Sequence, residues 1–292
     1  MGNARWDDRS YANYSASVSH KTREEIFTAR SMDQSLDPAK IKFRESVDSP
    51  ANPASTPIIL ACDETGSMGH LAEQIIRTDL GAIMRGIYDT KPVTDPHIMC
   101  MGVGDAACDM APLQVTQFEA GVSPLVAQIE KIWIEGKGGG NNGESYPLAW
   151  WFATYKCLTD AWRKRSRKGF LFTIGDECPL PVITADQIRR FMGVSAQHDV
   201  DIRSLLKAAS EYWHIFHLII KPVDTQPVVR TWKDILGQRA IEVSDHSLLA
   251  DGIVSILRVI NGEDADAVAR SATGDSAIVV RSVVSQLATA GA

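Results

Sequence analysis

Three short stretches of the 292-residue chain place oxygen-bearing side chains where they could hold a cation. Asp63-Glu64-Thr65-Gly66-Ser67-Met68-Gly69 carries a carboxylate and two hydroxyls at i, i+2 and i+4. Gly138-Gly139-Gly140-Asn141-Asn142-Gly143-Glu144-Ser145 sets amide, carboxylate and hydroxyl oxygens behind a run of glycines, and Asp176-Glu177 closes an apolar run. A carboxylate and two hydroxyls on a tight turn that opens a helix can aim three hard oxygens at one point. Such donors suit Mg²⁺ or Mn²⁺, and the lack of His and Cys in the set argues against Zn²⁺. Taken alone, the first stretch also serves as a turn and helix cap, since Asp, Thr and Ser all accept bonds from free backbone amides. The glycine run is not a phosphate loop, because no Gly-Lys-Ser/Thr follows it.

These stretches need a scaffold that brings them to one edge. Ile58-Ile59-Leu60-Ala61-Cys62, Ile98 to Val103, Phe170 to Ile174 and His214 to Ile220 are short apolar runs expected of strands buried on both faces. Leu113 to Phe118 reads as a further strand across the polar connection Gly104 to Asp109, and Arg239 to Val243 as a short last one. Between them, Leu71, Ile75, Ile76, Leu80, Ile83, Met84 and Ile87 recur at helical steps, as do Leu125, Val126, Ile129, Ile132 and Trp133 after Ser123-Pro124. A third helix is expected from Glu144 to Trp162, with Trp150, Trp151, Phe152 and Tyr155 in its core, and another through Leu248 to Leu257. Alternating strands and helices imply an α/β domain with a mostly parallel sheet covered on both faces. Ligands of such sheets collect at the carboxyl ends of the strands, where Asp63 and Asp176 fall.

The spacing divides the chain into a polar extension over 1–55, a domain over 56–260 and a tail over 261–292. In the tail, Ile278, Val279, Val280, Val283, Val284 and Leu287 fit a helix. Composition bounds the rest. With 30 Lys and Arg against 36 Asp and Glu the net charge is −6, which disfavours nucleic acid as a partner. The one dense basic run, Arg163 to Lys168, reads as the solvated end of a helix. Five widely spaced cysteines without a C-x-x-C pair read as reduced, mostly buried thiols. No signal-like or membrane-spanning apolar run occurs, so an intracellular, cytoplasmic protein is expected. His214 and His217 fall on opposite faces of their strand and read as structural; Asp105 and Asp109 read as turn residues.

The combination Asp63-x-Thr65-x-Ser67 with Gly66 and Met68-Gly69, the glycine-rich loop, and Asp176 at a strand end resembles the metal-ion-dependent adhesion site of von Willebrand factor type A domains. The resemblance covers about residues 56 to 260. It implies a Rossmann-like fold whose third strand is antiparallel, in keeping with the short Gly104 to Cys108 connection. It also implies that Thr65 and Ser67 bind Mg²⁺ or Mn²⁺ through hydroxyls, with Asp63 and Asp176 bound directly or through water. Asn141 would take the position that is usually threonine in the family, with Asn142 and Glu144 in support. Asp176 stands in Gly-Asp-Glu rather than the commoner Thr-Asp-Gly, a pattern of intracellular and microbial members. Ser46 to Pro50, Ser55-Thr56-Pro57 and Gln114 to Glu119 further resemble uncharacterised bacterial and phage proteins of this class.

The function implied is non-enzymatic. A cation held largely by neutral hydroxyls keeps an electrophilic position that an Asp or Glu carboxylate of a partner protein can fill. Intracellular members often work beside AAA+ ATPases, which by analogy makes one a candidate partner. Two rivals remain. The sequence Asp63-Glu64-Thr65-Gly66-Ser67 also looks like the Asp-Lys-Thr-Gly-Thr box of P-type ATPases, relatives of haloacid dehalogenases. There Asp63 would be a covalent nucleophile, with Lys168 and Asp176-Glu177 in the lysine and metal-carboxylate roles. That reading leaves the glycine loop unused. The other rival is an assembly protein that acts through its extension and tail.

Overall fold

A computed structural model describes residues 5–65, 69–135, 143–220, 226–243 and 245–288. In chain order its elements are α1 (Asp8–Val18), α2 (Arg23–Ile26), β1 (Arg44–Ser46), β2 (Thr56–Asp63), α3 (Gly69–Gln74), α4 (Leu80–Thr90), β3 (Pro96–Val103), β4 (Leu113–Val115), α5 (Val122–Ile129), α6 (Tyr146–Lys156), β5 (Cys157–Thr159), α7 (Asp160–Arg165) and β6 (Gly169–Gly175). They continue with β7 (Val182–Ile183), α8 (Ala185–Met192), β8 (Val200–Asp201), α9 (Ile202–Ala209), β9 (Trp213–Ile220), α10 (Gln226–Leu236), β10 (Ala240–Val243), α11 (Leu249–Ile260), α12 (Ala265–Ser271) and α13 (Ser276–Ala288).

The apolar runs assemble into a six-stranded sheet of order β10-β9-β6-β2-β3-β4. Every pair in it is parallel except β3 with β4, the third strand of this sheet along the chain. Alternation along β2 sends Ile58, Leu60 and Cys62 into a layer with α1, α3, α4, α5, α11 and α13. Ile59 and Ala61 point the other way, toward α6, α8, α9 and α10. The result is a Rossmann-like α/β fold with helices on both faces, and Asp63 ends the central strand.

Several elements differ from the sequence expectation. The stripe after β2 is not one regular helix, because Ile75–Asp79 forms a π turn between α3 and α4. Ladder pairing of β4 stops at Val115, although Phe118 is buried and Glu119 bridges back to Ile98. The expected helix from Glu144 to Trp162 breaks at Lys156. Cys157–Thr159 turns extended there because Arg44–Ser46 offers it a parallel partner, and Thr159 then caps α7 by accepting from the Trp162 amide. All five cysteines are free, but only Cys62 and Cys100 are buried.

The first 55 residues are less peripheral than their polarity suggests. Trp6, Tyr11, Val18, Ile26, Phe27 and Leu36 join the same apolar cluster as α3 and α4. The Tyr11 ring lies against Gly81, where an added Cβ would stand 2.2 Å from it. Asp48 accepts from Arg165 at 2.7 and 3.1 Å and from the Ser55 hydroxyl at 2.8 Å, partners that hold its carboxyl well below the usual carboxylate range. The tail behaves likewise: α13 buries Val279, Val280, Val283, Val284 and Leu287 in that cluster, while Ile278 stays exposed.

The tightest fastening is Lys156, which is 6% exposed. Its ammonium donates to the carbonyls of Pro38 at 2.6 Å, Ile41 at 2.7 Å and Met192 at 2.7 Å, using all three N–H bonds on the backbone. Burial pulls its pKa down while the charge of Asp37 pulls it up. Lys156→Met keeps the stem volume but leaves three buried carbonyls without donors. We expect it to cost about 2–4 kcal/mol, at roughly 1–3 kcal/mol for each lost partner less what water recovers. Urea unfolding with hydrogen exchange over 36–46 checks this; an unchanged midpoint with unchanged protection of that segment would show that the clamp is dispensable.

Candidate metal centre

Three strand ends meet at the entry to α6. Asp63 ends β2, Gly175 ends β6 beside it, and Asp176 follows directly. The backbone of Glu144 ties the loop after β6 to this point, since its N–H donates to Cys178 O at 2.8 Å and its carbonyl accepts from Leu180 N at 3.0 Å. Ser145 draws in the end of β3. Its N–H donates to Gly104 O at 3.0 Å, and its hydroxyl accepts from Ala106 N at 2.7 Å.

Asp63 sits at the middle of this junction and is fully buried. One carboxylate oxygen accepts from the Thr65 amide at 2.8 Å and the Thr65 hydroxyl at 2.7 Å, closing the tight turn the spacing predicts. The other accepts from the Tyr146 hydroxyl at 2.8 Å. Gly175 makes that approach possible, because a Cβ there would stand 2.0 Å from the Tyr146 hydroxyl and 2.9 Å from Asp63 Cβ. The Tyr146 ring meets the His217 and Trp232 rings edge-on, and those two stack at 3.6 Å. His217 Nδ1 lies 2.8 Å from the Thr173 hydroxyl, so the aromatic wall is itself fixed.

The electrostatics are one-sided. Burial pushes the Asp63 carboxyl up to about 6 against its hydrogen bonds from Thr65 and Tyr146, and the charge of Asp176 adds to the rise. Glu144 is 4% exposed and is pushed up to about 9, by burial first and then by the charges of Asp63 and Asp105. A hydrogen bond with Thr65 partly offsets this, yet Glu144 Oε2 is buried without a hydrogen-bond partner among the described residues. Glu64 points away from the turn. Gln114 Nε2 donates to it at 3.2 Å while also bonding the Trp133 carbonyl at 2.9 Å, and Gly102 leaves room for its carboxyl. Asp105 and Asp109 form a turn, in which Asp109 accepts from the Asp105 amide at 2.7 Å and Asp105 from the Ala107 amide at 2.9 Å.

Of the residues singled out by sequence, Asp63, Thr65, Glu144 and Asp176 come together here. Ser67, Asn141 and Asn142 lie outside the described residues. Among the described residues no group of three or more His, Cys, Asp or Glu is placed to hold a metal ion, so their carboxylates do not form a coordination sphere by themselves. Their chemistry nevertheless fits a hard divalent cation: the donors are all oxygen, they are buried, and one oxygen of Glu144 lacks a partner among the described residues. Thr65 would offer a hydroxyl, Asp63 and Asp176 would offset the ion's charge, and Glu144 would orient Thr65. Tyr146 is the residue of this junction that spacing does not reveal. Its sequence signals are its place at the first residue of the helix after the glycine-rich loop, and the Gly175 that admits its hydroxyl.

Fold and site together define a Rossmann-like α/β domain with an acidic, oxygen-lined centre at the carboxyl edge of its sheet. No protein-family model matches the chain, and no curated protein matches its sequence. Among solved structures it is similar to the pilus adhesin SpaC from Lactobacillus rhamnosus GG in its open conformation, at 12% identity and a TM-score of 0.47 over 75% of this chain and 30% of the adhesin. It is similar to a von Willebrand factor type A protein from Catenulispora acidiphila at 10% identity and a TM-score of 0.41, over 72% of this chain and 44% of that one. A third similar structure is BatB, described as a conserved hypothetical protein, from Bacteroides thetaiotaomicron, at 13% identity and a TM-score of 0.38, over 68% of this chain and 95% of that one. The chain thus spans less than half the length of the first two.

No helix among the described residues is long and apolar enough to cross a membrane. The crowded carboxylates give a test with opposing signs. Asp63→Asn removes a charge that burial penalises, so the variant should match or exceed the wild type in EDTA. In Mg²⁺ the wild type should gain stability, about 1.4 kcal/mol at ten times the Kd, and the variant little. Thermal unfolding of both proteins in MgCl₂ and in EDTA reads this directly; an equal Mg²⁺ increment in the two would remove Asp63 from the centre.

Proposed function

We propose that the protein is a Mg²⁺-dependent protein-binding module of the von Willebrand factor type A kind. A partner's Asp or Glu carboxylate completes its metal centre. The observation that carries this reading is the set of buried acids at one sheet edge, with Glu144 Oε2 left without a hydrogen bond among the described residues. A divalent ion offsets that charge, and an ion held partly by hydroxyls retains enough positive field to attract one further carboxylate. Surrounding loops would set specificity, and the metal bridge would set dependence on the ion. When bound, the ion supplies Lewis acidity; the chain's own residues position it. Tyr146 and the Thr65 amide hold Asp63 in one orientation, while the His217 and Trp232 rings hold the Tyr146 ring in place. An AAA+ ATPase is a candidate partner on the strength of the resemblance alone.

Phosphoryl transfer is the less favoured reading. An aspartyl nucleophile must present an oxygen to phosphorus, whereas both Asp63 oxygens accept hydrogen bonds and the side chain is fully buried. Lys168 belongs to the opposite end of β6 from Asp176, and its ammonium donates to Ser210 O at 2.6 Å.

The discriminating experiment is capture of partners from host lysate by the wild type and by Asp63→Ala, each in Mg²⁺ and in EDTA. Partners held only by the wild type in Mg²⁺ are expected. Partners retained equally in all four samples would refute the metal bridge. Release of phosphate from phosphomonoesters that is lost in Asp63→Asn would move the assignment to the enzyme.

A further inference from the structure

At the amino ends of the strands, opposite the acidic edge, lies an open cavity of about 1060 Å³ between the C-terminal ends of α4, α7 and α11. Lys91, Arg165, Arg167 and Lys168 line it, and among the described residues none of its lining is acidic. That is a local excess of positive charge on a chain of net charge −6. Arg165 is largely neutralised by Asp48 at 2.7 Å. Among the described residues Lys91, Arg167 and Lys168 have no ion pair; Lys168 donates to a neutral carbonyl, which leaves its charge uncompensated.

The helix ends alone do not account for these cations. Helix carbonyl termini do favour Lys and Arg. However, Lys91 is the C-cap of α4 with φ 52°, and Ser166 the C-cap of α7 with φ 52°, positions where glycine is the low-cost choice. A non-glycine residue is strained there, so at Lys91 an ammonium stands at the groove on a backbone conformation that favours glycine. The hydroxyls of Thr56 and Ser166 add donors suited to phosphate oxygens, whereas those of Ser55 and Thr94 already donate to Asp48 and to the Ala54 carbonyl. The Phe170 ring, 5.1 Å from that of His214, gives the groove an apolar floor. Besides its burial, His214 is held in the neutral form, down to about 4, by the positive fields of Arg239 and Lys168.

We infer that this groove is a binding site for a compact organic oligophosphate, of the size and charge of a nucleoside triphosphate. Its volume is that of small-molecule sites. The charge balance selects a compact anion over a polymer. A ligand with a few clustered charges meets only the local cations, whereas a nucleic acid or long acidic peptide would extend over a surface whose net charge repels it. The site is independent of the metal centre, so it is tested in EDTA with that centre silent.

The experiment is calorimetric titration of the full chain with inorganic tripolyphosphate and with ATP at low salt in EDTA, the His214 ring proton being followed by NMR. Binding with a His214 shift is expected. Tighter binding of ATP assigns the apolar floor to the nucleoside, and equal binding assigns the site to phosphate alone. Lys91→Gly with Arg167→Gln should weaken binding at least tenfold. Glycine relieves the strained φ at Lys91 and Arg167 is exposed, so the melting temperature should not fall. Equal affinity of wild type and double variant, no binding of either probe, or tighter binding of a mixed-sequence single-stranded RNA or an octaglutamate peptide would overturn the assignment.

Discussion

Crowding of like charge in a dry place governs this molecule. Burying a carboxylate is costly unless something answers it, and at the carboxyl edge of the sheet Asp63, Glu144 and Asp176 are buried together. The surrounding architecture serves to hold that arrangement. Gly175 lets a tyrosine hydroxyl reach Asp63, the Glu144 backbone clamps the loop that carries Asp176, and Gly102 with Gln114 draws Glu64 aside. Each device fixes an acidic group where solvation alone would let it drift.

The central sheet was readable because its strands are buried on both faces and therefore appear as unbroken apolar runs at Ile58 to Cys62, Phe170 to Ile174 and His214 to Ile220. The antiparallel direction of β4 is implied by the family resemblance, and the short connection at Gly104 is in keeping with it. The turn at Asp63 was readable because its hydrogen bonds are local, spanning two residues. What escaped were features decided at long range. Cys157–Thr159 continues a helical pattern and becomes a strand only because residues 44–46 lie beside it. The Tyr146 contact spans 83 positions, and the alternation of polar and apolar residues carries no trace of it. The π turn at Ile75–Asp79 was hidden because the apolar stripe runs through it with nearly unchanged spacing.

The two ends of the sheet have opposite character. Helices that follow parallel strands send their N-termini back from the carboxyl edge and their carbonyl ends toward the amino edge. Acids gather at the first and cations at the second, so the protein has a polarity that its modest net charge conceals. The basic run Arg163 to Lys168 illustrates the point. Arg165 is spent on Asp48, within the fold, while Arg167 and Lys168 face outward into the groove. A single stretch of sequence thus divides between architecture and surface.

The Lys156 clamp bears on how such a domain can be inherited or transplanted. The signature residues begin at Asp63, and a cassette cut near residue 56 would carry all of them. Yet that cassette would lack the Pro38 and Ile41 carbonyls that receive the Lys156 ammonium, the strand that pairs with Cys157–Thr159, and the carboxylate that holds Arg165. It would keep the recognisable motif and lose the anchoring of the helix that delivers Tyr146. The stretch that carries these contacts is therefore longer than the one the motif delimits and begins upstream of residue 56.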